Sequence, residues 1–313
     1  MISPADQASR AQGELIDPQA LMAIRSLEMR ARVVVEGFRT GIHRSPYHGF
    51  SVEFTEYRQY TPGDDPRYLD WKLFARSDRY FIKKFEDETN LRCHVLADNS
   101  RSMTFGSRGY TKAQYANTLA ATLAYFLHQQ GDAIGVLTFD ERIREYLPAR
   151  HRPGHLRHLM LALEKPAAGA ATDLVAPLKR IVEIVRKRSL MVLLSDLLAP
   201  VESLENNLAA LTASGHEVVV FQVLDPAEVA FDFSKAALFH DLESGRQLYV
   251  DPESVRVEYQ RRFEAHCRAI EATCAKLGIA LRRFTTDRPL EFALFDFLRE
   301  RMNRGKVVKR NAA

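Results

Sequence analysis

The chain has 313 residues, of which 46% are hydrophobic, enough for one large α/β domain with an appendage or for two ordinary domains. Its 44 basic residues are set against 40 acidic ones, and this mixed surface with a formal net charge of +4 argues against a nucleic-acid-binding protein. No uncharged stretch reaches the ~18 residues of a membrane span, and the polar residues 1–15 lack the apolar run of a signal peptide. We therefore expect a soluble cytoplasmic protein without a transmembrane anchor.

The first predicted element is an amphipathic helix over about residues 18–35. Its apolar positions follow helical spacing, so one face must pack against the rest of the protein. Alternating hydrophobic residues and the turn at 61–66 then predict a small β subdomain over residues 43–90. The single tryptophan, Trp71, lies in this segment, where it either packs in a hinge or faces a partner. The residues before the subdomain, 1–42, form a polar arm and the amphipathic helix.

From residue 91 onward, short apolar runs alternate with helical patterns, which is typical of a mostly parallel sheet covered by helices on both faces. The sequence predicts a doubly wound six-stranded α/β domain over residues 91–302, with an added β-hairpin near 231–250. A basic tail follows at 303–313, which could contact phosphate but is more typical of a solvated terminus. The strands are predicted at 91–97, 133–139, 143–147, 190–194, 217–223 and 279–284, with 143–147 as an antiparallel edge.

Oxygen-bearing side chains follow several of these strands. The first strand runs directly into Asp98, and the loop after it carries Ser100 and Ser102. Thr172, just before a helix, and Asp196, just after the fourth strand, are expected at the same edge of the sheet, where open α/β folds bind ligands. Each residue alone has an ordinary explanation as a helix cap or a turn residue. Together they supply the oxygen ligands that a hard cation prefers, and they predict a site for Mg²⁺ or Mn²⁺.

These five positions, in this chain order, resemble the metal-ion-dependent adhesion site of von Willebrand factor A domains. In that family the two serines, here Ser100 and Ser102, and usually the threonine, here Thr172, bind the metal directly or through water. The aspartates, here Asp98 and Asp196, hold coordinated waters, and one position is left for an acidic group of a partner. The resemblance implies a von Willebrand factor A-like domain that binds a protein and is not an enzyme.

A second resemblance covers most of the chain. The motif Tyr60-Thr61-Pro62-Gly63-Asp64-Asp65 and the segments 67–72, 172–174 and 224–228 resemble a bacterial family known as domain of unknown function number fifty-eight. Such proteins are typically encoded beside a MoxR-type AAA+ ATPase and are thought to act with it in chaperone-like maturation or assembly of other proteins. The resemblance implies that ATPase and a client protein as partners. Many relatives begin with a pair of transmembrane helices, from which this polar N-terminus departs.

Two other chemistries stay open from the sequence. A metal-dependent phosphohydrolase could use Asp98 and Asp196 to hold catalytic Mg²⁺, although a phosphatase of the haloacid dehalogenase type would need a second aspartate in place of Ser100. A histidine cluster could bind zinc, although no cysteine or acidic ligand accompanies it locally. Its members are His151, His155 and His158. The preferred function is a metal-dependent protein-binding adaptor.

Overall fold

The computed structural model describes residues 15–44, 56–59, 80–84, 91–167, 175–233, 237–240 and 247–298. Contacts between residues divide the chain into two units, with divisions after residues 13, 39 and 90. The described residues 40–44, 56–59 and 80–84 belong to the first unit, and all others belong to the second.

In the first unit, the structure describes one antiparallel pair of strands, β1 (Glu56–Gln59) and β2 (Phe81–Lys84). Glu56 is opposite Lys84, and Gln59 is opposite Phe81. Both strands lie inside the predicted β subdomain. Trp71 lies outside the described residues, so both interpretations of it stay predictions.

The second unit is built on a six-stranded sheet. In chain order the strands are β3 (Arg92–Asp98), β4 (Ala133–Phe139), β5 (Ile143–Arg150), β6 (Leu190–Ser195), β7 (Glu217–Leu224), β8 (Ala237–His240), β9 (Gln247–Val250) and β10 (Ala280–Thr285). Strands β8 and β9 form a separate antiparallel hairpin, in the segment where the sequence predicts one. The other six lie in the order β10-β7-β6-β3-β4-β5, and every neighbouring pair is parallel except β4 with β5. The predicted doubly wound sheet with an antiparallel edge strand is confirmed.

Helices connect these strands and cover the sheet. Among the described helices, none combines the length and the apolar character that crossing a membrane requires. The helix Lys112–Gln129 begins at a capping box, in which Thr111 and Gln114 each accept a backbone amide of the other. The helices are α1 (Pro18–Ala23), α2 (Leu27–Arg44), α3 (Lys112–Gln129), α4 (His155–Leu163), α5 (Val175–Ile184), α6 (Val201–Ala213), α7 (Pro226–Ala230), α8 (Pro252–Lys276) and α9 (291–298).

The central strands are apolar because they are covered on both faces. Every residue of β6 is buried, and in β3 only Arg92 is exposed. Parallel strands in this position have continuous hydrophobic runs in place of the alternation of a half-exposed strand. Each fully buried aliphatic side chain contributes roughly 1.5–3 kcal/mol to stability. These strands therefore provide a rigid support for the loops at their carboxyl ends.

The prediction of a single N-terminal helix over residues 18–35 is wrong, because the helical conformation is interrupted between α1 and α2. Ile24 has an extended backbone with ψ near 120°, and its carbonyl accepts a hydrogen bond from Nε of Arg30 at 2.6 Å. The hydroxyl of Ser26 accepts the amide of Met29 at 3.3 Å and so caps the next helix. The apolar stripe continues across this break, which is why the hydrophobic pattern alone does not reveal it.

Residues 15–39 of the N-terminal helices belong to the second unit and pack against its other helices, as an amphipathic face requires. Phe38 of α2 contacts Phe126 of α3 edge to face, with ring centroids 6.1 Å apart, and Phe295 of α9 at 4.6 Å. Glu291 accepts the backbone amide of Ile16 at 3.0 Å. These contacts join residues near the two ends of the described chain.

The order of the strands places a topological switch point between β3 and β6. From β3 the chain passes through α3 to β4 on one side, and later returns to β6 on the other side. In open α/β sheets, ligands bind in the crevice beyond the carboxyl ends of the strands at this point. Asp98 ends β3, and Asp196 directly follows β6.

Candidate metal centre

Asp98 is fully buried at the end of β3. Its Oδ1 accepts the backbone amide of Ser100 at 2.8 Å, and its Oδ2 accepts the hydroxyl of Ser195 at 2.6 Å. Ser195 is level with Asp98 because β3 and β6 pair in parallel. Burial, and after it the charge of Asp196, raise the pKa of Asp98 to about 7, although hydrogen bonds from Ser195 and Ser100 act in the opposite direction.

The loop after β3 brings two hydroxyl groups together. The Oγ atoms of Ser100 and Ser102 are 3.2 Å apart, with Ser100 fully buried. The loop is held to the sheet by the amide of Asn99, which donates to the carbonyl of Phe139 at 2.7 Å. Ser102 then begins a short 3₁₀ turn. The predicted alternation of a carboxylate and two hydroxyls therefore forms one cluster of oxygen atoms.

Asp196 is also fully buried, at the end of the neighbouring strand. Its Oδ1 accepts the amide of Leu198 at 3.1 Å, and its Oδ2 accepts the ammonium of Lys112 at 2.9 Å. The side-chain amide of Gln222 donates to its backbone carbonyl at 3.1 Å. The structure thus brings four predicted residues to one edge of the sheet, since β3 and β6 are neighbouring parallel strands and the two aspartates lie at their carboxyl ends.

Thr172, the fifth predicted residue, lies outside the described residues, which resume at residue 175 where α5 begins. Its part in the metal centre stays a prediction.

Lys112 contacts this centre but is not one of the residues predicted from the sequence. Its side chain is 0% exposed, and its Nζ lies 2.6 Å and 2.9 Å from the two carboxylate oxygens of Glu228, in addition to the contact with Asp196. Burial by itself lowers the pKa of Lys112, but the charges of Asp196 and Glu228 outweigh burial and raise it. One signal was available in the sequence, because a lysine in the first turn of a helix opposes the helix dipole.

A second polar cluster adjoins Lys112. Asp225 caps α7, and its Oδ1 accepts the amide of Ala227 at 2.9 Å and the hydroxyl of Ser107 at 2.6 Å. Glu228 accepts the amide of Asp225 at 3.1 Å, which completes a capping box. The motif from Asp225 to Glu228 has the sequence pattern of that box. The cluster ties the loop before α3 to the end of β7.

The donor chemistry of the centre fits a hard divalent cation. The atoms that could bind a cation are oxygens. Asp98 accepts hydrogen bonds from neutral groups, whereas Asp196 contacts the positively charged Lys112. A cation beside the serine hydroxyls would offset the negative charge of Asp98. Within the part of the chain that is described, no three His, Cys, Asp or Glu side chains are grouped to hold a metal. A cation here would therefore depend on Ser100, Ser102 and coordinated waters.

The histidine cluster has structural contacts. His155 is buried, and its Nε2 contacts a backbone carbonyl of β4 at 2.8 Å. The Nδ1 of His158 contacts the carbonyl of Gly154 at 2.9 Å, and the ring of His151 packs on that of His128. These contacts account for the histidines without zinc.

Comparisons with known proteins find relatives along most of the chain. An uncharacterized protein of Mycobacterium tuberculosis is 29% identical over 286 residues, which cover 90% of this chain and 89% of the relative. The hypothetical protein BatB from Bacteroides thetaiotaomicron is similar in structure, with a TM-score of 0.47, 13% identity, and coverage of 68% of this chain and 99% of that chain. The SpRpn10 VWA domain has a TM-score of 0.37 and 12% identity, over 65% of this chain and 93% of that chain.

A family model matches residues 56–269, which is more than half of the chain. The matched region includes parts of both units and four residues of the candidate centre, together with Thr172. The family described as protein of unknown function DUF58 is the one that the sequence motifs indicate. The chain therefore belongs to the DUF58 family.

Proposed function

We propose that this chain is a protein-binding adaptor that depends on a metal ion. Mg²⁺ or Mn²⁺ would be held by the hydroxyls of Ser100, Ser102 and Thr172, with Asp98 and Asp196 acting through coordinated waters. When bound, the metal supplies an open coordination position for a carboxylate of a partner protein. This assignment follows the resemblance to the adhesion site and the oxygen chemistry of the centre.

One observation carries the proposal: every carboxylate oxygen of Asp98 and Asp196 already accepts a hydrogen bond from the chain. Carboxylates held in this way can orient metal-bound water, but they are poorly placed to attack a substrate or to take its proton. The donors are the Ser100 amide and Ser195 hydroxyl on Asp98, and the Leu198 amide and Lys112 ammonium on Asp196.

The same contacts weigh against a phosphohydrolase. In that alternative both aspartates would bind the catalytic Mg²⁺ directly, and at Asp98 the ion would compete with the hydrogen bonds from Ser100 and Ser195. Asp196 is in turn held by an ion pair with Lys112 at 2.9 Å. A binding function uses both aspartates as the structure holds them.

The partners in this proposal are a MoxR-type AAA+ ATPase and a client protein. They follow from the family resemblance, because such ATPases are typically encoded beside members of this family. We propose that the captured carboxylate belongs to the ATPase or to its client, and that the complex acts in chaperone-like maturation or assembly.

The proposal can be tested by measuring binding of the MoxR-type ATPase encoded in the same genome to the immobilised full chain. We expect binding in Mg²⁺ or Mn²⁺ that falls at least about tenfold in chelator, which corresponds to about 1.4 kcal/mol. Asp98→Ala and the double variant of Ser100→Ala with Ser102→Ala should reduce binding to the level seen in chelator. Ser254→Ala is the matched control, because Ser254 is an exposed serine at the start of α8.

Binding that is the same in chelator and in both site variants would contradict the metal dependence. The enzyme alternative is tested on the same protein with Mn²⁺ and a panel of phosphoesters, where we expect no turnover. Turnover that Asp196→Ala abolishes would favour the phosphohydrolase.

A further inference from the structure

Lys112 places a fixed positive charge at the edge of the candidate metal centre. We propose that Lys112 is an internal cation that stabilises Asp196 before a metal arrives and that limits the affinity of the centre for divalent ions. The inference rests on the metal binding in the proposed function and adds a residue outside the predicted ligand set.

The geometry of Lys112 is that of a bound cation. Its Nζ has three carboxylate oxygens within 2.9 Å, one from Asp196 and two from Glu228. An ammonium has three hydrogens to donate, so these contacts match its full capacity. The side chains of Lys112 and Asp196 are both 0% exposed, and that of Glu228 is 17% exposed. Because these side chains are buried, solvent screens their charges little, and each charge is compensated mainly by the others.

The backbone around Lys112 is also fixed. Its amide donates to the carbonyl of Phe105 at 2.8 Å, and the side chain of Thr111 caps the helix that Lys112 begins. Its partner Glu228 is held by the amide of Asp225 at 3.1 Å. Both Lys112 and Glu228 are therefore tied to the start of a helix, α3 and α7 respectively.

This placement has two electrostatic consequences. Without a metal, the ammonium compensates the buried charge of Asp196, which would otherwise be strongly destabilising. When a divalent cation binds beside Asp98 and Asp196, the same ammonium repels it at short range. In a buried site this repulsion weakens metal binding by roughly tenfold or more. Lys112 thus makes the stability of the centre independent of a metal ion but lowers the affinity of the centre for divalent cations.

The main test compares wild type with Lys112→Met, which has a similar length and no charge. Mn²⁺ binding is measured by electron paramagnetic resonance and calorimetry, and melting temperature is measured in chelator and in Mn²⁺. We expect Lys112→Met to bind Mn²⁺ roughly tenfold more tightly or better. It should melt lower than wild type in chelator, and Mn²⁺ should raise its melting temperature by more than that of wild type.

The matched control is Lys276→Met, which removes a lysine whose partner is also acidic but whose side chain is 70% exposed. Its Nζ is 2.6 Å from Glu205. Mn²⁺ affinity and melting temperature should stay at the wild-type values, because an exposed ion pair contributes little.

A second variant should change the affinity for Mn²⁺ in the opposite direction. Glu228→Gln removes one partner of Lys112 and leaves Asp196 intact, so more of the ammonium charge is uncompensated. We expect Mn²⁺ binding to weaken severalfold. If Lys112→Met folds neither in chelator nor in Mn²⁺, this variant decides the question, and equal or tighter Mn²⁺ binding overturns the inference.

The outcomes separate this inference from the proposed function. If wild type and Lys112→Met bind Mn²⁺ equally, or if the variant binds it more weakly, the inference fails and the metal-dependent adaptor stands. If only Lys112→Met binds Mn²⁺, the role of Lys112 stands and the metal dependence of the wild-type function fails. If neither binds, both are overturned.

Discussion

Strand β3 carries a buried ionisable side chain near each end, and the two ends differ in what surrounds them. Burial is the largest cause that raises the pKa of Asp98 to about 7 and that lowers the pKa of His94 to about 4, so at both ends it favours the neutral form. Asp98 accepts hydrogen bonds at both oxygens, whereas among the described residues no partner is found for Nδ1 of His94. Burial alone therefore does not mark a functional group. Asp98 differs from His94 in its organised donors and in the neighbouring Asp196.

The largest expected effect concerns Asp98 in the absence of metal. Its folded pKa is above its unfolded value of 3.8, so its contribution to stability is complete below about pH 4 and is lost as the pH rises through 7. Relative to wild type in chelator, Asp98→Asn should gain up to about 4 kcal/mol in the free energy of unfolding between pH 4 and pH 8. Urea unfolding at both pH values measures this. An equal pH dependence in the two proteins would contradict it.

The opposite dependence is expected at the other end of β3. The pKa of His94 is lowered from 6.5 by burial first, and then by the charges of His216 and Arg92. The unfolded chain therefore binds the proton first, and stability is lost as the pH falls from about 6.5 to 4. His94→Leu should reduce this loss in the free energy of unfolding by about 3 kcal/mol. The control is His158→Leu at an exposed histidine, and its free energy of unfolding should fall with pH as it does in wild type.

The third effect tests how tightly His94 is packed. A Cβ added to Gly135 would lie 2.7 Å from the amide of Ala149 and the carbonyl of Leu147, and 2.8 Å from the ring of His94. Two of these atoms are backbone, so Gly135→Ala should reduce the free energy of unfolding by about 2–3 kcal/mol. Gly131→Ala, where φ is +84° and the space is open, should cost only about 1 kcal/mol. Equal losses in the two variants would show that packing around His94 is loose.

The smallest effect concerns the hydrogen bond between Ser195 and Asp98. Ser195→Ala removes a 2.6 Å donor from a buried carboxylate, and we expect a loss of about 1.5 kcal/mol at pH 8 in chelator. Ser214→Ala, at an exposed serine that bonds a helix carbonyl, is the control and should change stability little. A loss at pH 8 that persists unchanged at pH 4, where Asp98 is neutral, would argue that the hydroxyl does not act through the carboxylate charge.

The strands were predictable because buried parallel strands have continuous apolar runs. Strand β4 has the predicted bounds, and β6 extends the prediction by one residue to Ser195. The break between α1 and α2 was not predictable from hydrophobic spacing, because it depends on the cap at Ser26 and on Arg30 contacting Ile24. Among the site residues, Asp98 and Asp196 could be found because each lies at the end of a strand. The position of Lys112 in the first turn of a helix was visible, but its place in the site was not, because its partner Glu228 is 116 residues away in the sequence.

By itself the sequence determined the class of the fold, the membership of the DUF58 family and the loops that carry oxygen-bearing side chains. Those features are local, since they depend on periodicity, turn residues and short motifs. Only the tertiary structure decided that β3 lies beside β6, that Ser195 holds Asp98, and that a buried lysine shares Asp196 with the candidate metal centre. These are contacts between residues far apart in the chain. Their energies arise from burial and charge, and both depend on which strands and helices meet.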